Sequence, residues 1–133
     1  MNKNKKETAV ADCTVLVVED NPNNAMLMQD ILKSQKIRSH IVENAAEAME
    51  FCKGDTPTMI LMDIGLPDMD GLELTKKMRD GKKLNKTPII AVTAHASSSM
   101  KEKAMAVGCN DFIAKPFMPN DVIHTVKSHL VSS

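Results

Sequence analysis

The chain has no tryptophan, no tyrosine and only three phenylalanines in 133 residues. Base-stacking platforms are built from such rings, so recognition of single-stranded nucleic acid by stacking is not expected. Net charge is lacking as well: 17 basic and 17 acidic residues cancel. A nucleic-acid binder normally carries a basic excess, so no nucleic-acid partner is expected, although a neutral total leaves room for a local patch. Long apolar runs are missing. The longest, such as Val15–Val18, have four residues, against the roughly 20 that a membrane-spanning helix needs. The N-terminus is basic, but Glu7 and Asp12 interrupt anything resembling a signal-peptide core. The three cysteines, Cys13, Cys52 and Cys109, are odd in number and have no paired spacing. They read as reduced thiols of a cytoplasmic protein, acting as small apolar residues.

What is present is an ordinary globular composition, 43% hydrophobic and 26% charged, in a length that suits one domain. Residues 1–11 read as a disordered polar tail and 12–133 as the folded domain. Short apolar runs alternate with segments of helical period. "TVLVV" (14–18), "SHIV" (39–42), "MILM" (59–62), "PIIAVT" (88–93) and "DFIA" (111–114) are predicted strands. Helices are predicted after each. The first is capped by Asn21 with Pro22 in its first turn, and buries Leu27, Met28, Ile31 and Leu32. The second has Asn44 and Glu47 at capping-box spacing and an apolar face of Ala45, Ala48, Met49 and Cys52. The third runs from Gly71 to a stop at Gly81 and buries Leu72, Leu74 or both, with Met78. The fourth (97–108) has a serine cap and buries Met100, Ala104 and Val107. The fifth (119–130) is buried through Val122, Ile123, Val126 and Leu130. Most of the eleven methionines read as core filler.

Strands that are apolar throughout, rather than alternating, are buried on both faces. Five βα units of this kind predict an α/β fold, a doubly wound parallel sheet with helices on each side. In such sheets ligands bind outside the carboxyl ends of the strands. The polar residues fall there: Glu19-Asp20 after the first strand, Asp63 after the third, Thr93 at the end of the fourth, Lys115-Pro116 after the fifth. Three carboxylates in one pocket repel one another unless a hard divalent cation shares their charge, and Mg²⁺ takes one or two carboxylates together with waters. A pocket with Mg²⁺, a lysine and a hydroxyl is what a transferring phosphoryl group requires. One of the carboxylates would be the nucleophile, forming an acyl phosphate, and Thr93 could hydrogen-bond a phosphoryl oxygen.

Taken together, "VVEDN", "ILMDIGLPDMDG", "AVTA" and "FIAKPF" resemble the response-regulator receiver domain, the CheY-like family, over about residues 13–130. The resemblance implies a flavodoxin-like (βα)5 sandwich with strand order 2-1-3-4-5. It implies that Asp63 is the phosphoacceptor, that Asp20 ligates Mg²⁺ directly and Glu19 through water, and that the Gly65 carbonyl completes the protein ligands. Thr93 matches the switch hydroxyl, Lys115 the phosphate-binding lysine, and Phe112 the switch aromatic, without the hydroxyl of a tyrosine. Pro116 matches a proline whose preceding bond is usually cis.

The resemblance further implies a signalling switch rather than an enzyme acting on a foreign substrate. Its donor would be a sensor histidine kinase or a histidine phosphotransfer protein, docking near the first helix and the 116–119 loop. Its readout would be a downstream target protein contacting the face built by the fourth helix, fifth strand and fifth helix, or onward transfer of the phosphoryl group. The chain ends soon after the last helix, so no output domain is expected, and the tail starting at Met1 favours a freestanding receiver over one excised from a hybrid histidine kinase. A haloacid-dehalogenase-like phosphatase would need a second Asp two residues after Asp63, where Gly65 stands. Asp68 and Asp70 read as a solvated turn with local side chain to backbone contacts. His95 is placed to rim the pocket or to be solvated. His40, His124 and His129 suggest no zinc site.

Overall fold

A computed structural model describes residues 14–131; the expected tail and Cys13 lie outside the described residues. Ten elements alternate along the chain. They are β1 (Thr14–Val18), α1 (Pro22–Ser34), β2 (Arg38–Val42), α2 (Ala45–Gly54), β3 (Met59–Asp63), α3 (Gly71–Asp80), β4 (Ile89–Thr93), α4 (Ser98–Ala106), β5 (Asp111–Ala114) and α5 (Pro119–Val131). The strands form one parallel sheet in the order β2-β1-β3-β4-β5. This is the doubly wound order expected.

Successive side chains of a strand point to opposite faces, and the two faces bury separate clusters. Val15, Val17, Met59, Leu61, Ile90 and Val92 pack under α1 and α5. Leu16, Val18, Ile60, Met62, Ile89 and Ala91 pack under α2, α3 and α4. β3 is therefore enclosed from both sides, with all five residues buried, and truncating Leu61 to alanine would cost about 2–5 kcal/mol.

Helix starts follow their caps. The Asn21 side chain accepts from the Asn23 and Asn24 amides, with Pro22 at the first helical position. Asn44 accepts from the Glu47 amide, while the Glu47 carboxylate reaches back to the Glu43 amide rather than to Asn44 itself. Ser97 caps α4 through the Met100 amide. Three apolar stripes differ from the sequence reading. In α4 only Ala104 is buried, with Met100 and Val107 half-buried. Leu27 is exposed and Ala25 takes its place in the α1 core; Met49 is exposed and α2 is buried through Ala45, Ala48 and Cys52. Both are large side chains at the margin of a narrow buried stripe, where a smaller alanine nearer the centre packs against the sheet. In α3 it is Leu74 that is fully buried, with Leu72 partly so. Gly81 ends α3 in extended backbone, φ −83°, so it is no left-handed cap. The left-handed glycine is Gly108, φ 110°, just past α4.

The sheet ladder continues one residue beyond several strands. Glu19 N donates to Val42 O at 3.0 Å, Ile64 N to Val92 O at 3.1 Å and Lys115 N to Thr93 O at 2.8 Å. The backbones that carry the polar residues are thus fixed by the sheet itself.

Candidate functional site

A cleft of about 360 Å³ opens at the carboxyl ends of the strands, and Glu19, Asp20, Asp63, Gly65, Thr93 and Lys115 all line it. These residues come from four loops and strand ends that the sequence separates by up to 96 positions, 115 − 19. His95 also lines the cleft and is exposed to solvent. Phe112 and Pro116 are not part of the lining. A larger groove of about 490 Å³ lies between α1 and β2 around Lys33, Lys36 and Arg38, but it gathers no comparable set of reactive groups.

Asp63 and Glu19 are each only 5% exposed, whereas Asp20 faces solvent. The Lys115 ammonium lies between the two buried acids, 3.1 Å from Glu19 Oε1 and 3.2 Å from Asp63 Oδ1. Both partners follow from chain geometry: Lys115 is the first residue past β5 and is held by its ladder bond to Thr93. Burial pushes the Glu19 acid above its ordinary value; the Lys115 hydrogen bond opposes this and the Asp63 charge adds to it. Burial alone would draw Lys115 down. Its hydrogen bond to Glu19 and the charge of Asp63 outweigh that and hold it above the ordinary lysine value. Two buried carboxylates with one ammonium leave a net negative site. An uncompensated buried charge is costly, and the surplus is what an added cation would neutralise.

The donor set fits a hard cation. One carboxylate oxygen each from Glu19, Asp20 and Asp63 lies within 4.8 Å of the others, and the group opens to solvent through Asp20. All-oxygen donors with room for water suit Mg²⁺.

Around Asp63 the backbone is closely ordered. Gly65 N donates to Asp63 Oδ1 at 3.1 Å, so Oδ1 accepts from both Gly65 and Lys115. Gly71 approaches from behind. A Cβ at this position would collide with the Asp63 carbonyl oxygen and with Ile64 Cα, 2.7 Å away, so only glycine allows α3 to start here. Thr93 is buried, and its Oγ1 accepts from the His95 amide at 3.0 Å, which leaves the hydroxyl proton available to another acceptor. Phe112 is partly buried against the second cluster, with the Lys101 ammonium 5.0 Å from its ring centroid. The Lys115–Pro116 bond is cis.

Matching of the chain to protein-family models finds the response regulator receiver domain over residues 15–127. The chain belongs to this family. Its role is phosphoacceptor signalling, and the structure has the family's fold. Among curated relatives, the polar-differentiation response regulator DivK of Brucella anthropi is 38% identical over 117 residues, spanning 88% of this chain and 95% of DivK. DivK of Brucella ovis is 37% identical over 117 residues, with the same coverage. Among solved structures, the receiver domain of a sensor histidine kinase from Pseudomonas aeruginosa superposes with a TM-score of 0.82 at 31% identity, covering 89% of this chain and 97% of that one. It holds a magnesium ion coordinated in its active-site cleft. The chemotaxis response regulator CheY4 of Vibrio cholerae gives a TM-score of 0.84 at 25% identity, covering 88% and 98%. No helix among the described residues is long and apolar enough to cross a membrane.

Three residues of this receiver are more engaged than their sequence positions suggest. Asp70, its neighbour in the turn, behaves as expected, capping α3 by accepting from the Leu72 amide at 2.7 Å. Asp68 does not. Its contacts are tertiary, to the Ala45 amide at 2.9 Å and the Ala46 amide at 3.1 Å. Arg79 makes five hydrogen bonds, to the carbonyls of Gly108, Leu84 and Thr87 and to Asn110 Oδ1. Lys101 covers Phe112. Nothing local marks these residues, because each partner belongs to a different βα unit or to a loop.

Proposed function

We propose that Asp63 takes the phosphoryl group, from a phosphohistidine on a sensor histidine kinase or a histidine phosphotransfer protein. The observation that carries this reading is the Lys115 ammonium within 3.2 Å of Asp63 and 3.1 Å of Glu19, in a cleft that also contains Asp20 and Thr93. An Asp63 carboxylate oxygen attacks phosphorus and the P–N bond to the donor imidazole breaks. The ring nitrogen keeps the bonding pair, and Asp63 carries an acyl phosphate. Lys115 and the Thr93 hydroxyl are placed to bond two phosphoryl oxygens. Asp20, Asp63 and the Gly65 carbonyl would hold magnesium, with Glu19 acting through a water. Bound magnesium supplies positive charge beside the phosphoryl oxygens. The only chemistry of the chain is its own phosphorylation and slow dephosphorylation.

The phosphoryl group adds about −1.5 to −2 charge. Thr93 and Lys115 turn toward it, and the segments behind them adjust. Phe112, the second residue of β5, moves with Thr93 and reshapes the face of α4, β5 and α5, where a target protein binds. Several kcal/mol of preference between the two shapes are needed for a clean switch. The donor docks beside the cleft on α1 and the 116–119 loop, where Met26, Leu27 and Met118 are 61%, 44% and 62% exposed.

Incubation with acetyl phosphate and Mg²⁺, followed by intact-mass measurement, tests the reading. The wild type gains one phosphoryl mass and Asp63→Ala gains none. A wild type without added mass, or a variant with as much, ends the proposal. Target capture with and without beryllofluoride then separates a switch from a relay carrier.

A further inference from the structure

Asp68 sits at the tip of the loop between β3 and α3. The neck of this loop is closed by its own backbone: Gly71 N donates to Ile64 O at 2.8 Å, and Gly65 pairs with Asp70 in an antiparallel bridge. Leu66 is buried and Ile64 and Met69 pack on the second cluster. The tip's polar tie to the rest of the molecule runs through Asp68. Its Oδ1 accepts from Ala45 N and its Oδ2 from Ala46 N, 23 and 22 residues upstream.

Those two amides open α2. The first amides of a helix have no partner within it, and the helix dipole favours negative charge beside them. Asn44 serves the Glu47 amide through its side chain and the Ala48 amide through its carbonyl. Ala45 and Ala46 are left to Asp68. Charge-assisted bonds of this kind are about twice as strong as neutral ones. The Ala45 amide bond, more than any other cause, holds the Asp68 carboxyl below its ordinary value, so the ionised clasp is the resting form.

The loop so clasped begins at the acceptor. Gly65, three residues before Asp68, donates its amide to Asp63 Oδ1, and with Asp63 as acceptor its carbonyl would serve the metal. We propose that Asp68 is a positioning residue for phosphoryl transfer: its two-oxygen clasp on the first turn of α2 holds the Gly65 backbone where Asp63 needs it. The proposal rests on Asp63 being the acceptor, and its test separates the two.

Asp68→Ala removes both acceptors, and Asp68→Asn keeps one oxygen and removes the charge. Asn44→Ala is the control, because it removes the other side-chain cap of α2 without touching the loop. In metal-free protein, NMR amide exchange at Ile64, Gly65 and Leu66 should rise in Asp68→Ala, rise less in Asp68→Asn, and stay at the wild-type level in Asn44→Ala. Phosphorylation by acetyl phosphate should slow about 10- to 100-fold in Asp68→Ala, since small misplacements near reacting atoms have effects of this size. The magnesium concentration for half-maximal rate should rise in the same order. If Gly65 exchange and magnesium dependence stay at wild-type values, or if Asn44→Ala reproduces the loss, Asp68 is only a helix cap and the proposal is overturned. A wild type that takes up no phosphoryl group fails the acceptor reading instead, while the exchange data still decide whether Asp68 holds Gly65.

Discussion

Lys115 and Arg79 are two cations held half inside the same domain, at opposite ends of the sheet, and they are held in opposite ways. Lys115 stands at the carboxyl ends of the strands between two carboxylates, Glu19 and Asp63. Arg79 stands beyond the amino ends, where α3 finishes, and all five of its bonds go to carbonyl oxygens of Gly108, Leu84 and Thr87 and the Asn110 side chain. The Asn110 oxygen also accepts from the Ile89 amide at 2.9 Å, so the network reaches the first residue of β4. An ammonium is a compact charge on a flexible stem, whereas a guanidinium is a rigid fork. The first can exchange a carboxylate for a phosphoryl oxygen with little rearrangement. The second fixes several loops at once and has nothing to exchange for. On the proposed function the domain thus keeps a movable cation in the cleft and an immovable one where β4 and β5 begin.

Breaking the movable half should have the largest effect. Lys115→Met removes the cation between Glu19 and Asp63, and phosphorylation by acetyl phosphate should slow by about 10²- to 10³-fold, the usual loss for one charge-stabilising donor. Lys115→Arg sharpens the comparison. A fixed fork in this position should preserve the charge and the melting temperature but not the rate, as read by intact mass over time.

Breaking the immovable half comes next. Arg79→Ala leaves the Gly108, Leu84 and Thr87 carbonyls short of a donor and should cost about 2–3 kcal/mol in urea unfolding, with water replacing part of the loss. Arg79→Lys should rescue little of it, because one ammonium cannot span the same oxygens. Asp63 phosphorylation should proceed normally in both variants below their melting temperatures. A large loss of phosphorylation in folded Arg79→Ala would mean that the two ends are not separate.

The smallest effect concerns Glu19. Its folded acid is held above the ordinary value of 4.5. The folded state therefore binds the proton more tightly than the unfolded chain. Ionised Glu19 weakens the metal-free fold as pH rises toward and through that folded value, and has no effect below the unfolded one. Glu19→Gln should raise the melting temperature of metal-free protein at neutral pH by about 2 °C, with the gain vanishing as pH falls below 4.5. Added Mg²⁺ should stabilise the wild type more than the variant.

The movable half is largely legible in the sequence, and the immovable half is not. Strand ends are marked by an apolar run meeting a polar residue, and a doubly wound sheet brings all such ends to one edge. Glu19, Asp20, Asp63, Thr93 and Lys115 can therefore be grouped without coordinates. Arg79 carries no such mark; it reads as one more basic residue in "KKMRDGKK". Asp68 reads as a solvated turn residue because its partners lie across the sheet order, in the first turn of α2. Leu27 and Met49 read as inward because helical spacing locates a stripe but not its edge, and the packing of Ala25 and Ala48 decides that edge.

Gly71 gives Asp63, the proposed acceptor, a fixed backbone wall behind it. The start of α3 lies so close behind Asp63 that not even a methyl group fits between them, and β1 and β4 grip β3 on its two flanks. On the proposed function, an acyl phosphate on Asp63 would stand on a backbone with no room to retreat, and Thr93 and Lys115 would meet it from the cleft side. The residue with no side chain is what sets that backbone in place.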